Sequence, residues 1–393
     1  MTTGQITIEP VEGAKEMSEF LALPARLYQS FPEYTPPLML DRRGVLDPKK
    51  APFFEHGEAQ YWLARREGKT VGRISAQIDH AQPGGNFAEA GLIGCLDTID
   101  DEHVVRALIS VAEQALREKG CAFAMGPMTL SMNTEPGLMI QGQDEPPMIG
   151  TSWHPTYIEA HLDACGYRYA KDLHYWRIAT DSEAFEALRN KPKIQGRLKG
   201  YTVRKLDLKN ITKETQIIRD VYNDAWQNNW GFVPLTEADL NAMSTDLKPF
   251  LRPEWGAIIE RDGKAFGVAV LIPNLYEITT DLGSKPSPWG WAKLLWRTAF
   301  HRFTSGRIIV LGVRSEIKHT VGGAVVAMAL VEKLLDELTT YQPRSAWIEA
   351  GWVLEDNAAL VRLLEQFGFS RSRTFRIMKK NIAAEEAVEA RDR

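Results

Sequence analysis

Several common functions need residues that this chain has little of. Its three cysteines, Cys95, Cys121 and Cys165, lie far apart and include no Cys-x-x-Cys pair. That spacing argues against a disulfide framework or a thiolate zinc site and suits a reducing compartment. Basic charge is not in excess: 47 Lys and Arg against 51 Asp and Glu leave a net charge of -4. A general polyanion-binding surface is therefore not expected, and nucleic acid is not an expected partner. No apolar run approaches the ~18 residues needed to span a bilayer. The opening stretch "MTTGQITIEPVEGAKEM" has acids and no apolar signal-peptide core. A cytoplasmic protein is expected. His154, His161 and His174 lack metal-ligand spacing, so no metal is expected either. No nucleophile with a paired base is visible, which favours a direct over a covalent mechanism.

What is present is ordinary globular composition, 44% hydrophobic over 393 residues, with eleven Trp. The length suggests two to three domains. Two halves look alike. "AQYWLARREGKTVGRISAQID" (59–79) and "WGAIIERDGKAFGVAVLIPN" (255–274) each read as strand, Gly turn, strand. A further strand follows each ("GLIGCLDTI", "RIIVLGV"), then an apolar-periodic helix ("HVVRALISVAEQALREKG", "GAVVAMALVEKLLDELTT"). Each half closes on a helix ending in Gly-aromatic ("YIEAHLDACGY", "ALVRLLEQFGF") and a last strand. The pattern predicts an α/β fold of two tandem domains, each a mixed, mostly antiparallel sheet flanked by helices. The domains are placed at 1–179 and 201–380, with a polar linker at 180–200 and a polar tail at 381–393.

In the second half, "HTVGGA" (319–324) joins an apolar strand to a long apolar helix. Gly322 and Gly323 have no Cβ, so a ligand can approach the main chain closely. The first turn of the helix presents unpaired N–H groups and a partial positive charge, which suit a pyrophosphate. Lys318 and His319 add cationic character. The bland alternative is a glycine turn that only makes room for packing.

Strand, glycine loop, helix, strand and Gly-Phe helix together resemble the GNAT N-acyltransferase superfamily. There the acyl-CoA pyrophosphate sits on a Gln/Arg-x-x-Gly-x-Gly/Ala loop. Here the loop reads His319, Thr320, Val321, Gly322, Gly323, Ala324, with His where Gln or Arg is usual. "EDNAALVRLLEQFGF" (355–369) matches the downstream helix at Asn357, Glu365, Gly368 and Phe369, whereas Leu364 replaces the usual Tyr acid. The resemblance implies an acyl-CoA cosubstrate held by residues 319–324 and Asn357. It also implies a backbone N–H near Gly312 or Val313 that polarises the thioester carbonyl. In the first half, Asp97, Asp100, Asp101 and Glu102 stand where phosphates would sit and would repel them. One working CoA site, in the second half, is expected. The stretches "PFFEHGEAQYWLARREGKTVGRISAQID", "GPMTLSMNTEPGLMIQG" and "YNDAWQNNWGFVPLT" further resemble long tandem-GNAT bacterial proteins, the YghO-like group with its bacterial ceramide synthase relatives. That implies N-acylation, with a sphingoid base or other lipid amine as the leading acceptor. Acetylation of a small polar amine, or CoA binding without turnover, are the alternatives.

Amine acylation needs a deprotonated amine, a polarised carbonyl and a proton for the thiolate. Glu349 in "WIEAGW" is the first candidate base, and Glu316, beside the glycine loop, the second. Asn133 and Glu135 in "SMNTEPG", with Trp230, are candidate acceptor-binding residues. "SPWGWAKLLWRTAFHRFTSG" (287–306) carries Trp289, Trp296, Phe300 and Phe303 as one helical stripe beside Lys293, Arg297 and His301. Such a helix can pack a core, line an acyl pocket, or lie on a membrane through 288–304. Core packing is the default expectation for it and for Tyr222, Trp226 and Trp230.

Overall fold

The computed structural model describes residues 4–82, 84–190, 193–194, 198–248, 250–341 and 347–383. Most of the expected tail and part of the linker lie outside them. The chain divides into two compact units. Met1–Leu173, Thr279–Trp291 and Arg373–Arg393 form the first, and His174–Ile278 with Ala292–Ser372 form the second. These limits differ from 1–179 and 201–380. The strand Arg168–Ala179 starts in the first unit and ends in the second, and Ser370–Asn381 does the reverse. Within the first unit, Met378–Asn381 pair antiparallel with Gly126–Phe123, and Thr374–Arg376 pair with the strand at Leu138–Gln141. Strand periodicity marks which residues are extended but carries no information on the partner strand.

The first unit is built on the hairpin β1 (Gly57–Arg66) and β2 (Lys69–Asp79), followed by β3 (Ala90–Thr98), helix α1 (Glu102–Glu118) and β4 (Phe123–Gly126). At the hairpin tip Arg66 faces Lys69, and the two loop residues Glu67 and Gly68 have φ of 49° and 74°. Both positive angles are what a two-residue loop needs to follow the strand twist. Helix α1 starts at Asp101, whose side chain accepts the N–H groups of His103 and Val104. Its Val104, Val105, Leu108, Ile109, Ala112 and Leu116 fall on one face and are buried.

The second unit repeats the plan. Helix α2 (Ile211–Trp226) precedes the hairpin β5 (Gly256–Arg261) and β6 (Lys264–Pro273). Its two-residue tip, Asp262 and Gly263, also has positive φ, 52° and 77°. Helix α3 (Pro288–Phe300), which starts in the first unit and ends in the second, is followed by β7 (Ser305–Val313), α4 (Val321–Tyr341), β8 (Trp347–Leu354) and α5 (Ala358–Gln366). Val326, Leu330, Val331, Leu334 and Leu335 of α4 are buried with Ala257, Ile259, Phe266 and Ala269 of the sheet. Strand β7 pairs antiparallel with β6 along its length and parallel with β8 only from Ser305↔Trp347 to Ile308↔Ala350. Beyond that point β7 runs on to Val313 and β8 to Leu354 without pairing to each other, so the two strands part. The first unit does the same: β3 and β4 pair only from Ala90↔Phe123 to Leu92↔Met125.

The aromatic stripe on α3 is not core. Trp289, Trp296 and Phe300 are exposed, and only Phe303, beyond the helix, is buried. Another side of α3 faces inward: Leu294 packs against the core, Arg297 donates to Ile278 O, and just past the helix His301 meets the Glu277 carboxylate at 2.9 Å. Gly290 is the one buried residue of the helix. The α2 aromatics divide differently. Tyr222 is buried, Trp226 ends the helix half-buried, and Trp230 lies past it.

Candidate active site

The parting of β7 and β8 opens a cavity of about 380 Å³ in the second unit. Leu311 and Val313 of β7 form one side and Trp352, Val353 and Leu354 of β8 the other. Ala327 and Met328 of α4, and Leu360 and Leu363 of α5, add further apolar wall. Trp226 closes it from α2 and meets Trp352 edge-on, with ring centroids 5.8 Å apart. The lining is mostly apolar, with Asn229, Lys318, Asn357, Arg362 and Gln366 as its longer polar side chains. That balance suits a ligand with one greasy and one charged end.

The backbone of β7 supplies donors. Arg314 N–H donates to Phe266 O across to β6. Hydrogen-bonding direction alternates along a strand, so Gly312 also faces β6 while Val313 and Leu311 turn their N–H and C=O groups toward the gap. Of the two predicted carbonyl donors, the alternation favours Val313.

The loop before α4 is shaped by its second glycine. A Cβ on Gly323 would stand 2.1 Å from Ile317 O and 2.8 Å from Ile317 C, both backbone atoms. Gly322 is open, its nearest neighbour being the Thr320 hydroxyl at 3.4 Å. Thr320 Oγ1 accepts Gly323 N–H at 3.1 Å and donates to Ile317 O at 2.8 Å, which caps the helix from within. The first-turn amides of Val321 and Gly322 have no acceptor inside the helix. Gly323 and Ala324 line the cavity; His319, Thr320, Val321 and Gly322 are exposed beside it.

Lys318 Nζ donates to Ala225 O at 2.6 Å and lines the cavity. Burial lowers its ammonium pKa, and Asp224 opposes the shift. Arg362 adds a second cation from the exposed side of α5. Asn357 serves two purposes: its side chain accepts Leu360 N–H as the cap of α5, and it lines the cavity. Leu364 is buried in the core, so α5 brings no hydroxyl at the usual acid position.

Neither predicted base faces this cavity. Glu349 is fully buried and bound by Arg307 at 2.7 Å and Arg177 at 2.9 Å. Arg177 lies over the Trp347 ring and Arg307 over Tyr175, so both guanidinium groups are held in place. A carboxylate engaged this way is a counter-ion whose lone pairs are occupied. Glu316 is exposed and paired with Lys264 at 2.8 Å. The residues that sequence reasoning missed are Asn229, Trp352 and Arg362. Asn229 and Arg362 lie in stretches that carry the family resemblance and Trp352 in "WIEAGW", but which of their residues reach the cavity is invisible until the register is known.

Among the expected acceptor residues, Trp230 is half-buried and not part of the lining. Asn133 and Glu135 lie in the first unit. Asn133 N–H bonds Ser131 Oγ, while the buried Glu135 pairs with Arg42 at 2.6 Å and accepts from Ser152 at 3.0 Å. Burial pushes the Glu135 carboxyl up, but Arg42, Thr129 and Ser152 outweigh it and hold the pKa below the ordinary value. A depressed carboxyl stabilises the fold above its unfolded pKa, about 4.3. That stability is lost as pH falls through the lower folded value. Urea unfolding is therefore expected to weaken more between pH 6 and pH 3.5 in the wild type than in Glu135→Gln. Equal losses would show that this carboxylate is not the group that titrates.

The first unit keeps the parted strands but blocks the phosphate position. Asp101 caps α1 and pairs with Arg66 at 2.8 Å, Asp97 pairs with Arg73, Asp100 with His161, and Glu102 with Arg106. The N-terminus of the helix is already satisfied by the chain's own carboxylate. Among the described residues no group of His, Cys, Asp or Glu is placed to hold a metal.

No family profile matches the chain. It is 35% identical over 380 residues to the bacterial ceramide synthase of Caulobacter vibrioides, covering 96% of this chain and 98% of that one. It is 34% identical over 367 residues to protein YghO of Escherichia coli, covering 93% of each. The solved tandem GNAT protein from the clavulanic acid biosynthesis pathway matches over 97% of this chain and all of its own, with a TM-score of 0.60 at 13% identity. A GCN5-related N-acetyltransferase from Sphaerobacter thermophilus gives 0.52 over 96% of each chain at 11% identity. At those identities the solved structures establish the fold. The parted strands and their cavity sit on that fold, a GNAT fold built in tandem. The chain belongs to the family that holds the Caulobacter vibrioides bacterial ceramide synthase and the Escherichia coli protein YghO.

Proposed function

We propose that the protein transfers a long-chain acyl group from acyl-CoA to a lipid amine, with a sphingoid base as the leading acceptor. The observation that carries this is the cavity itself. Its lining combines Gly323 and Ala324 at a helix start, the cations Lys318 and Arg362, and the apolar Leu311, Met328, Trp352, Leu360 and Leu363. The helix start and the two cations suit a pyrophosphate, and the apolar walls suit the pantetheine and acyl chain. The name of the Caulobacter vibrioides relative, at 35% identity over nearly the whole chain, supports the acceptor.

In this reading the amine nitrogen attacks the thioester carbonyl, and the carbonyl oxygen takes up negative charge beside the Val313 N–H. The C–S bond then breaks, the amide forms, and one proton leaves the nitrogen as one reaches the thiolate. The cavity lining holds no carboxylate, so the amine enters as the free base and solvent carries the proton.

Free-thiol release tests the reading: purified protein is offered acetyl-CoA or palmitoyl-CoA, each with and without a sphingoid base. Base-dependent release that is faster from palmitoyl-CoA is expected. Base-independent release, or faster release with acetyl-CoA and a small polar amine, overturns the lipid acceptor. Trp352→Ala removes an aromatic wall worth about 1.5 kcal/mol or more on burial. It is expected to weaken acyl-CoA binding roughly tenfold, read by calorimetry, with the melting temperature near that of the wild type.

A further inference from the structure

Helix α3 is built inside out. Its exposed face carries Trp289 at 80%, Leu295 at 72%, Phe300 at 69% and Trp296 at 64% exposure, with Trp291 at 37%. Trp296 and Phe300 touch, ring centroids 5.8 Å apart. At 100° per residue, Trp289, Trp296 and Phe300 fall within about 40° of one another, and Ala292, Ala299 and Leu295 extend the exposed surface along one flank, Leu295 about 120° from Trp289. This is a contiguous apolar surface, not scattered single residues, and such surfaces mark a binding face.

The helix is capped by its own chain at the start and tied to residues 277 and 278 at the end. At the start, Gly290 N–H bonds Ser287 Oγ and Trp291 N–H bonds Ser287 O. At the end, the Glu277 carboxylate holds His301 and the N–H groups of Thr304 and Ser305, and Arg297 is tied to Ile278 O.

Charge decides what covers the face. From Leu282 through Gly306 there is no Asp or Glu, whereas Lys285, Lys293, Arg297 and Arg302 all occur there. This concentration of cations sits in a chain whose net charge is -4. Two copies of the face placed together would oppose cations to cations, which disfavours a second copy as occupant. An anionic lipid surface offers both halves of the complement: acyl chains for the Trp and Phe rings, and negative headgroups for the Lys and Arg rim. Trp is also the side chain best suited to the boundary between hydrocarbon and water. Among the described residues no helix is long and apolar enough to cross a membrane, so the helix would lie on the surface.

We propose that α3 docks in the plane of an anionic membrane, with Trp289, Leu295, Trp296 and Phe300 inserted at the headgroup level and Lys285 and Arg302 on its phosphates. That the docked helix gives the enzyme access to membrane-resident substrates rests on the lipid-amine reading above. Vesicle binding itself does not, so the two can fail separately.

Co-sedimentation with phosphatidylcholine vesicles, with and without phosphatidylglycerol, tests the docking without any turnover. The wild type is expected to sediment with the anionic vesicles, to lose most of that binding at high salt, and to show a blue shift in Trp emission. The triple change Trp289→Ser, Trp296→Ser, Phe300→Ser is expected to lower vesicle affinity at least tenfold. Lys285→Glu with Arg302→Glu is expected to remove the preference for the anionic lipid. Melting temperature and palmitoyl-CoA binding, unchanged in each variant, show that the fold and the cavity are intact. Absence of sedimentation with either vesicle overturns the proposal, as does wild-type affinity in the triple variant. Self-association that the triple change abolishes, without vesicle binding, assigns the face to a second copy and overturns it too.

Discussion

Gly323→Ala is expected to weaken acyl-CoA binding at least tenfold, while Gly322→Ala changes it less than about twofold, both measured by calorimetry. Each substitution adds one methyl group, and the difference lies in what that group meets. At Gly323 the new Cβ would stand 2.1 Å from Ile317 O and 3.1 Å from Lys318 Cα. Both are backbone atoms in the short helix Ser315–Lys318, so no rotamer change relieves the clash and the loop must move away from α4. Overpacking of this kind costs about 1–3 kcal/mol, and here it falls on the geometry of the amides that open the helix. At Gly322 the new methyl would sit 3.4 Å from a hydroxyl with open space beyond. A bulky residue there, such as Gly322→Phe, is a different experiment: the fold tolerates it, but the ring occupies the approach a phosphate needs. Equal effects of alanine at the two glycines would mean that the loop does not shape the site.

Glu349→Ala is expected to destabilise the second unit by about 3–5 kcal/mol, read as a lower urea midpoint. Removing the carboxylate leaves the Arg177 and Arg307 guanidinium groups without the anion that compensates their desolvation. The two arginines cannot swing to water easily, because each is stacked on an aromatic ring. Glu349→Gln keeps the shape and loses the charge, so it is expected to be destabilised as well, by less. A general base behaves otherwise: the Gln variant would keep its urea midpoint and lose the pH dependence of kcat. That pattern would restore Glu349 as the proton acceptor and sink the counter-ion assignment.

Much of the fold is legible in the chain itself. The two hairpins announce themselves through Glu67-Gly68 and Asp262-Gly263, because a two-residue loop requires positive φ at both positions. Helix α1 is legible from Asp101 and the spacing of Val104, Leu108 and Leu116, since capping and amphipathic periodicity are both local. The glycine loop is legible for the same reason, and Gly323, Ala324, Val313 and Asn357 do line the cavity. What the chain hides is direction. Glu349 sits on a strand whose alternation admits two faces, and only the arrival of Arg177 and Arg307 shows which one it takes. Trp289, Trp296 and Phe300 have the spacing of a buried stripe, yet solvent covers them. Periodicity says that one face of a helix is apolar and cannot say whether that face looks in or out.

The sequence by itself determined the α/β class, the duplication, both hairpin turns and the glycine loop that opens α4. All of these follow from interactions within a few residues, where covalent geometry and hydrogen bonding leave few choices. Only the tertiary structure decided that the last strand crosses between units at Ser372 and Arg373, that β7 and β8 part after Ile308 and Ala350, and that Trp226 and Trp352 close the gap. Those outcomes depend on which distant strand completes a ladder and on how volumes fill around it. That is a competition among contacts far apart in the chain, to which no local pattern is sensitive.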